Sequence, residues 1–195
     1  LFKYHHAGEW QKVLKHRDYL IEILRVTSEM VDRDEMDLHT HRLRILSVFV
    51  DAYKQGMASN QNVHNGKDAL EMSQVLEYCI VSQGIIQDHE GVGRSMCDLA
   101  GVAQFVPKEL GKKEIDVEFN FQSAANLGRT HGLFSIVAHA CLGLGQRAME
   151  RDDLETAEII FKEAFVAAAK CQSEREVQIC LALADIYLVQ GKTDR

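Results

Sequence analysis

An all-α solenoid of antiparallel helix pairs is the fold class that this sequence predicts, and three observations predict it. Proline occurs once, at Pro107, while alanine, leucine, glutamate and glutamine are abundant, a balance that favours helix throughout. Apolar residues recur at helical spacing in segments of about 15 to 22 residues joined by short polar turns, and no window alternates strongly enough to read as a strand. The C-terminal third also repeats itself. Leu144-Gly145 and Ala148, which open one helix pair, are followed in the same phase by Leu183-Ala184, Tyr187 and Gly191. Pairs stacked in one direction build an open array, whereas a closed bundle needs fewer, longer partners.

The elements follow in order. Residues 1–8 read as the last turns of a helix closed by Gly8, and Trp10, Val13, Leu14, Tyr19-Leu20, Leu24 and Met30-Val31 form a second helix that stops at Asp32-Arg33-Asp34-Glu35. Leu43, Leu46, Val48, Phe49, Val50 and Tyr53 place a third from Leu38 to about Gly56. The stretch from Met57 to Lys67 has the asparagine, serine and glycine content of a loop. Asp68 with Glu71 three residues on predicts a capped start for a helix running to Ile85-Ile86. The next spans Glu90 to Val106 and stops at Pro107, whose ring removes a donor and clashes with the preceding turn. Helices are then expected over 115–127, 132–149, 154–170 and 174–190, the last with Ser173 and Glu176 as a capping box.

Charge and cysteine usage exclude several classes of function. The net charge of −7 supplies no basic excess for nucleic acid, so no nucleic-acid partner is expected. Residues 1–55 are balanced, with nine charges of each sign, which leaves the rest of the chain mildly acidic, 13 basic against 20 acidic. Cys79, Cys97, Cys141, Cys171 and Cys180 form no close pair, which fits a reducing, cytoplasmic setting and leaves cytoskeletal or organelle association open. No apolar run approaches the roughly 20 residues that a membrane span requires. The chain begins Leu1-Phe2 inside an apolar pattern and stops just after Gly191, where a partner helix is due. It is therefore expected to be a single repeat domain over 1–195 and a section of a longer array.

The residues that carry the repeat resemble the tetratricopeptide repeat family, whose unit is about 34 residues long. Cys141, Leu144-Gly145, Ala148, Leu154, Ala157, Phe161 and Ala164 fall in the order of bulky and small residues that the family uses across one helix pair. Tyr4, Gly8 and Trp10 fit the middle of a unit that has lost its start, and Tyr53, with the Leu99-Ala100-Ala103 group, fits the frame less closely. The recurring anchor, at Tyr4, Tyr53, Ala103, Ala148 and Tyr187, returns at intervals of 49, 50, 45 and 39 residues, as in members with lengthened units. The resemblance implies a right-handed superhelix in which small residues let paired helices approach and Cys141 and Cys180 are equivalent packing positions.

Chemistry-bearing motifs are few. His39 and His41 sit about 200° apart on a helix and cannot share a metal, and His5-His6 and the His139–Cys141 spacing fail in the same way. Gly91-Val92-Gly93 lacks the preceding strand and third glycine of a phosphate loop. Gly143 and Gly145 inside a helix cost about 1 kcal/mol each relative to alanine, so close helix contact is the expected compensation. Asp152-Asp153 reads as favourable charge beside a helix start. No catalytic residue, metal site or cofactor is expected.

The remaining candidate is the concave groove implied by the resemblance, lined by the first helix of each pair. Its polar members would be Arg44, Asp51, Lys54, Arg94, Asp98, His139, Gln146, Glu150 and Asp185. Lysine and asparagine are not where the family's clamp for a C-terminal carboxylate needs them. The expected function is a non-catalytic protein-interaction scaffold that holds a peptide, helix or partner subunit within a larger protein or assembly. The alternative is a peptide-sensing array that controls an attached effector domain.

Overall fold

The computed structural model describes residues 36–58, 66–103, 105–106 and 115–191, together with Lys12, Val13, Lys15, His16, Tyr19 and Glu22. The two helices expected before residue 32, most of the loop from Met57 to Lys67, and Pro107 fall outside the described residues, apart from those six positions and the helix ends. The described chain is all α: seven helices and no strand among the described residues. They are α1 (Met36–Ala58), α2 (Gly66–Ile85), α3 (His89–Ala103), α4 (Val117–His131), α5 (Phe134–Glu150), α6 (Leu154–Cys171) and α7 (Arg175–Val189). The chain divides into two compact units, Leu1–Ser95 with Val102–Glu114, and Met96–Gly101 with Ile115–Arg195.

In the first unit α1 packs on α2. Leu46, Phe49, Val50 and Tyr53 recur every three or four residues on α1, as do Ala69, Met72, Val75, Leu76 and Cys79 on α2, and all are buried. α2 begins at Gly66, two residues before the expected cap, so Asp68 lies within the helix rather than at its boundary. Asp88 caps α3, its carboxylate accepting the Gly91 N–H at 2.9 Å, which makes the Gly91-Val92-Gly93 run an ordinary first turn. The Gln83 amide nitrogen, turned toward α3, has Ser95 Oγ (2.9 Å), Gly91 O (3.0 Å) and Cys79 O (3.1 Å) within hydrogen-bonding reach and shares its two protons among them. α3 ends at Ala103, short of the expected Val106, because Phe105 and Val106 tighten into three-residue turns, donating to Val102 O (2.9 Å) and Ala103 O (3.1 Å).

The second unit positions the candidate site. Asp116 accepts the Phe119 N–H and starts α4, which runs on to His131, past the expected Leu127, until Gly132 takes the left-handed conformation at φ 68°. α5 returns antiparallel, and Arg151 at its end pairs with Glu118 at the start of α4. Asp153 then caps α6 by accepting the Thr156 N–H at 3.1 Å, so the Asp152-Asp153 pair does stand at a helix start. The cap of α7 differs from the capping box. Ser173 Oγ accepts from Arg175 N at 3.3 Å, while Glu176 N donates to the Ser173 carbonyl at 3.0 Å.

Small residues set how close these helices come. A Cβ on Gly145 would lie 2.6 Å from the Phe161 ring of α6, and one on Gly143 would overlap the Phe121 ring of α4. The contact expected to compensate the two helical glycines is therefore present on both sides of α5. Ala148, Ala157, Ala164 and Ala168 complete the seam around Phe161, and Cys97 and Ala100 of α3 join the same core. Each helix packs on the one before it, α4 with α5, α5 with α6, and α6 with α7, and α7 also touches α5. Arg129 of α4 reaches past α5 to Glu163 of α6 with two hydrogen bonds, Nε to Oε1 at 2.7 Å and Nη2 to Oε2 at 2.9 Å. That pair ties α4 to α6, which are not neighbours in the chain.

Candidate functional site

The nine groove candidates are divided between the two units. Arg44, Asp51 and Lys54 are exposed on α1. Arg94 is exposed on α3 and pairs with Glu90 one turn earlier at 2.7 Å, and Asp98, half-buried on the same helix, belongs to the second unit. His139, Gln146 and Glu150 stand on one face of α5, because steps of seven and four residues each return a helix to nearly the same side. Glu150 is paired with Arg147. Asp185 is exposed on α7. The structure thus brings together the three α5 residues, on the helix that α7 touches. Gly143, between His139 and Gln146, is buried under Phe121, so the face is polar at its two ends and closed in the middle.

Arg175 is the member that sequence reasoning missed. Its Nη2 lies 3.5 Å from His139 Nδ1, joining the start of α7 to α5. An N–H directed at Nδ1 selects the tautomer whose proton is on Nε2. The other described Lys and Arg side chains of the unit have different partners. Arg129, Arg147, Arg151 and Lys162 each pair with a glutamate, and Lys170 lies 4.5 Å over the Phe134 ring. A basic residue two positions after Ser173, in the first turn of the expected helix, was the available signal.

The cysteines separate by environment. Cys79, Cys97 and Cys141 are buried and Cys171 is half-buried, and none of the five is in a disulfide. Burial, with the Glu163 carboxylate nearby, pushes the Cys141 thiol up to about 12, so it stays protonated beneath Arg129 Nη2 at 3.9 Å. Cys180 is exposed, which corrects its assignment as the packing equivalent of Cys141. The reason is positional: α7 buries Ile179 and Ile186 against its neighbours, and Cys180 points away from that side. Among the described residues no group of three or more His, Cys, Asp or Glu side chains is placed to hold a metal, and no helix is long and apolar enough to cross a membrane.

The Arg129–Glu163 pair gives the unit a pH dependence. Hydrogen bonding from Arg129 holds the Glu163 carboxyl below its ordinary value of 4.5, outweighing burial, which acts the other way. The folded state therefore binds that proton less readily than the unfolded chain. The pair's stabilisation is complete above about 4.5, and it fades as pH falls through the lowered folded value. Both side chains are more than 40% exposed, at 43% and 41%, so solvent screening limits the effect to about 0.5–1 kcal/mol. Denaturation midpoints measured from pH 7 to pH 3 should show this acid-side loss, and Arg129→Met should remove it. An unchanged acid slope in that variant would assign the loss to other carboxylates.

No protein-family model matches this chain, and no curated protein sequence matches it either.

Proposed function

We propose that this chain is a non-catalytic protein-interaction scaffold, a right-handed solenoid of the tetratricopeptide type that lays a peptide, helix or partner subunit along the face formed by α5 and α7. One observation carries the reading: Gly145 receives the Phe161 ring of α6, and Leu144-Gly145 and Phe161 are residues on which the family resemblance rests. The sequential packing of α4 to α7, with Arg129 of α4 bonded to Glu163 of α6, supports the stacking that such an array requires. The protonated, buried Cys141 supports a packing role for that thiol rather than a nucleophilic one. Five cysteines outside any disulfide support residence in a reducing compartment such as the cytoplasm.

Two charge reversals test the binding face. Asp185→Lys, in the second unit, is expected to reduce capture of the native partner by roughly tenfold, the scale of one charge-assisted contact. Arg94→Glu, on α3 in the first unit, tests separately whether that unit takes part in capture. Crosslinking followed by mass spectrometry in native extract supplies the partner, and circular dichroism checks that each variant folds. Unchanged capture by both folded proteins would overturn the assigned face. Turnover by the purified chain that disappears on changing one acidic residue or cysteine would overturn the non-catalytic reading.

A further inference from the structure

The start of α7 is joined to α5 by a contact that exists in one protonation state only. Arg175 Nη2 lies 3.5 Å from His139 Nδ1. A guanidinium carries five N–H donors and no acceptor, so Nδ1 supplies the lone pair, and it does so only while it is unprotonated. In the imidazolium both ring nitrogens are donors, and the contact turns into N–H against N–H between two cations. The other described basic side chains of the unit have partners of a different kind, glutamates for Arg129, Arg147, Arg151 and Lys162 and the Phe134 ring for Lys170. Histidine is the side chain whose ordinary value falls between pH 5 and 8, so Arg175 is held by a group that changes charge near neutrality.

We propose that His139 and Arg175 form a pH-sensitive latch on the first turn of α7. With the imidazole neutral, Nδ1 accepts from Arg175 and the turn is docked on α5. A proton on His139 removes that acceptor and sets a second positive charge beside the guanidinium, so the docked turn opens as the pH falls through the histidine range, about 6.5. The opening is local. Ile179, one turn beyond Arg175, and Ile186 are fully buried, and they keep the rest of α7 seated against the core.

The charges on the surrounding elements act on the same proton. On α7, Glu174 and Glu176 flank Arg175, and Asp185 lies ten residues further along. α4 carries no titratable side chain between Glu118 and Arg129, which are held by Arg151 and Glu163. On α6, Glu158 is paired with Lys162 and Glu163 with Arg129, while Glu155 stands in the first turn. α5 itself adds Arg147 with Glu150, paired two turns beyond His139, and the protonated Cys141. α3 adds Asp98, half-buried in the same unit. The carboxylates of α3 and α7 favour the imidazolium and Arg175 opposes it, so the proton and the docked contact compete for one nitrogen.

The test is amide hydrogen exchange of the whole protein at pH 7.5 and pH 5.5, each corrected for the intrinsic rate. The Gln178 and Ile179 amides, whose helical bonds end on the carbonyls of Glu174 and Arg175, should open roughly tenfold more often at the lower pH, the scale of one unit of differential proton binding. Amides in the middle of α5 should keep their protection. The interval lies above the range in which the Arg129–Glu163 pair fades. His139→Gln keeps an acceptor for Arg175 and has no proton to gain, so the pH response should vanish. Arg175→Gln should also flatten it and move the His139 ring titration, followed by nuclear magnetic resonance, to higher pH by about half a unit or more. Circular dichroism reports folding, and Arg175→Gln carries the test should His139→Gln fold poorly. His131→Gln removes the other histidine of residues 115–195 and should leave the response intact. Opening that does not change with pH, that persists in folded His139→Gln or that disappears in His131→Gln would overturn the proposal, as would an unmoved His139 titration in Arg175→Gln. The latch does not rest on the scaffold reading, and partner capture by the Asp185 and Arg94 variants is a separate readout, so either can fail alone.

Discussion

Phe161→Ala should lower the stability of the second unit by about 3–5 kcal/mol, at the upper end for a single core truncation. The ring is fully buried where α5 and α6 meet, and it packs directly over Gly145. Gly145 has no side chain to move, while Ala157, Ala164 and Ala168 project only methyl groups, so collapse into the void would require the helices themselves to shift. The site keeps its cavity, and the cost includes both lost transfer energy and lost packing. Hydrogen exchange of α5 and α6 amides localises the effect where whole-chain unfolding would average two units. Their protection should fall by roughly 100-fold or more, since each 1.4 kcal/mol is tenfold. A loss below about 1 kcal/mol would mean that Phe161 is not the packing centre of this seam.

That seam was legible in the sequence because its geometry is local. Leu144-Gly145, Ala148, Ala157, Phe161 and Ala164 lie within one helix pair, and helical periodicity alone orients them toward each other. The caps at Asp153 and Gly132 are equally local, yet the sequence reading gives the first only as favourable charge beside a helix start and does not give the second. Gly132 stands beside His131 in a stretch that also reads as the start of the next helix. The candidate site was less legible. Helical spacing recovers which residues share a face of α5, as for His139, Gln146 and Glu150, but it says nothing about what covers that face. Phe121 closing over Gly143 is a contact from another helix, and the exposure of Cys180 reflects what neighbours α7. Arg175 was not legible because its contact with His139 joins residues 36 apart in the chain, on two different helices.

Gly145→Ala should reverse its effect according to what stands at residue 161. In an unhindered helix the change stabilises by about 1 kcal/mol, since alanine lowers the backbone entropy of the unfolded chain. Here the added methyl group would sit 2.6 Å from a Phe161 ring carbon, closer than real contacts allow. Pushing that ring aside in a filled core costs about 1–3 kcal/mol, which exceeds the propensity gain, so the single variant is expected to lose net stability. When Phe161 is first replaced by alanine the obstacle is gone and a void lies beside residue 145. The same Gly145→Ala change should then stabilise, through propensity and through partial filling of the cavity. A double-mutant cycle measured by denaturant unfolding and by α5 exchange should return a coupling of about 2–3 kcal/mol between the two positions. Additive effects would place the ring elsewhere and remove the contact on which the helix pairing, and with it the scaffold proposal, depends. The sign reversal is the more demanding result, because a glycine kept only for helix flexibility would respond to alanine in the same way whichever residue occupied position 161.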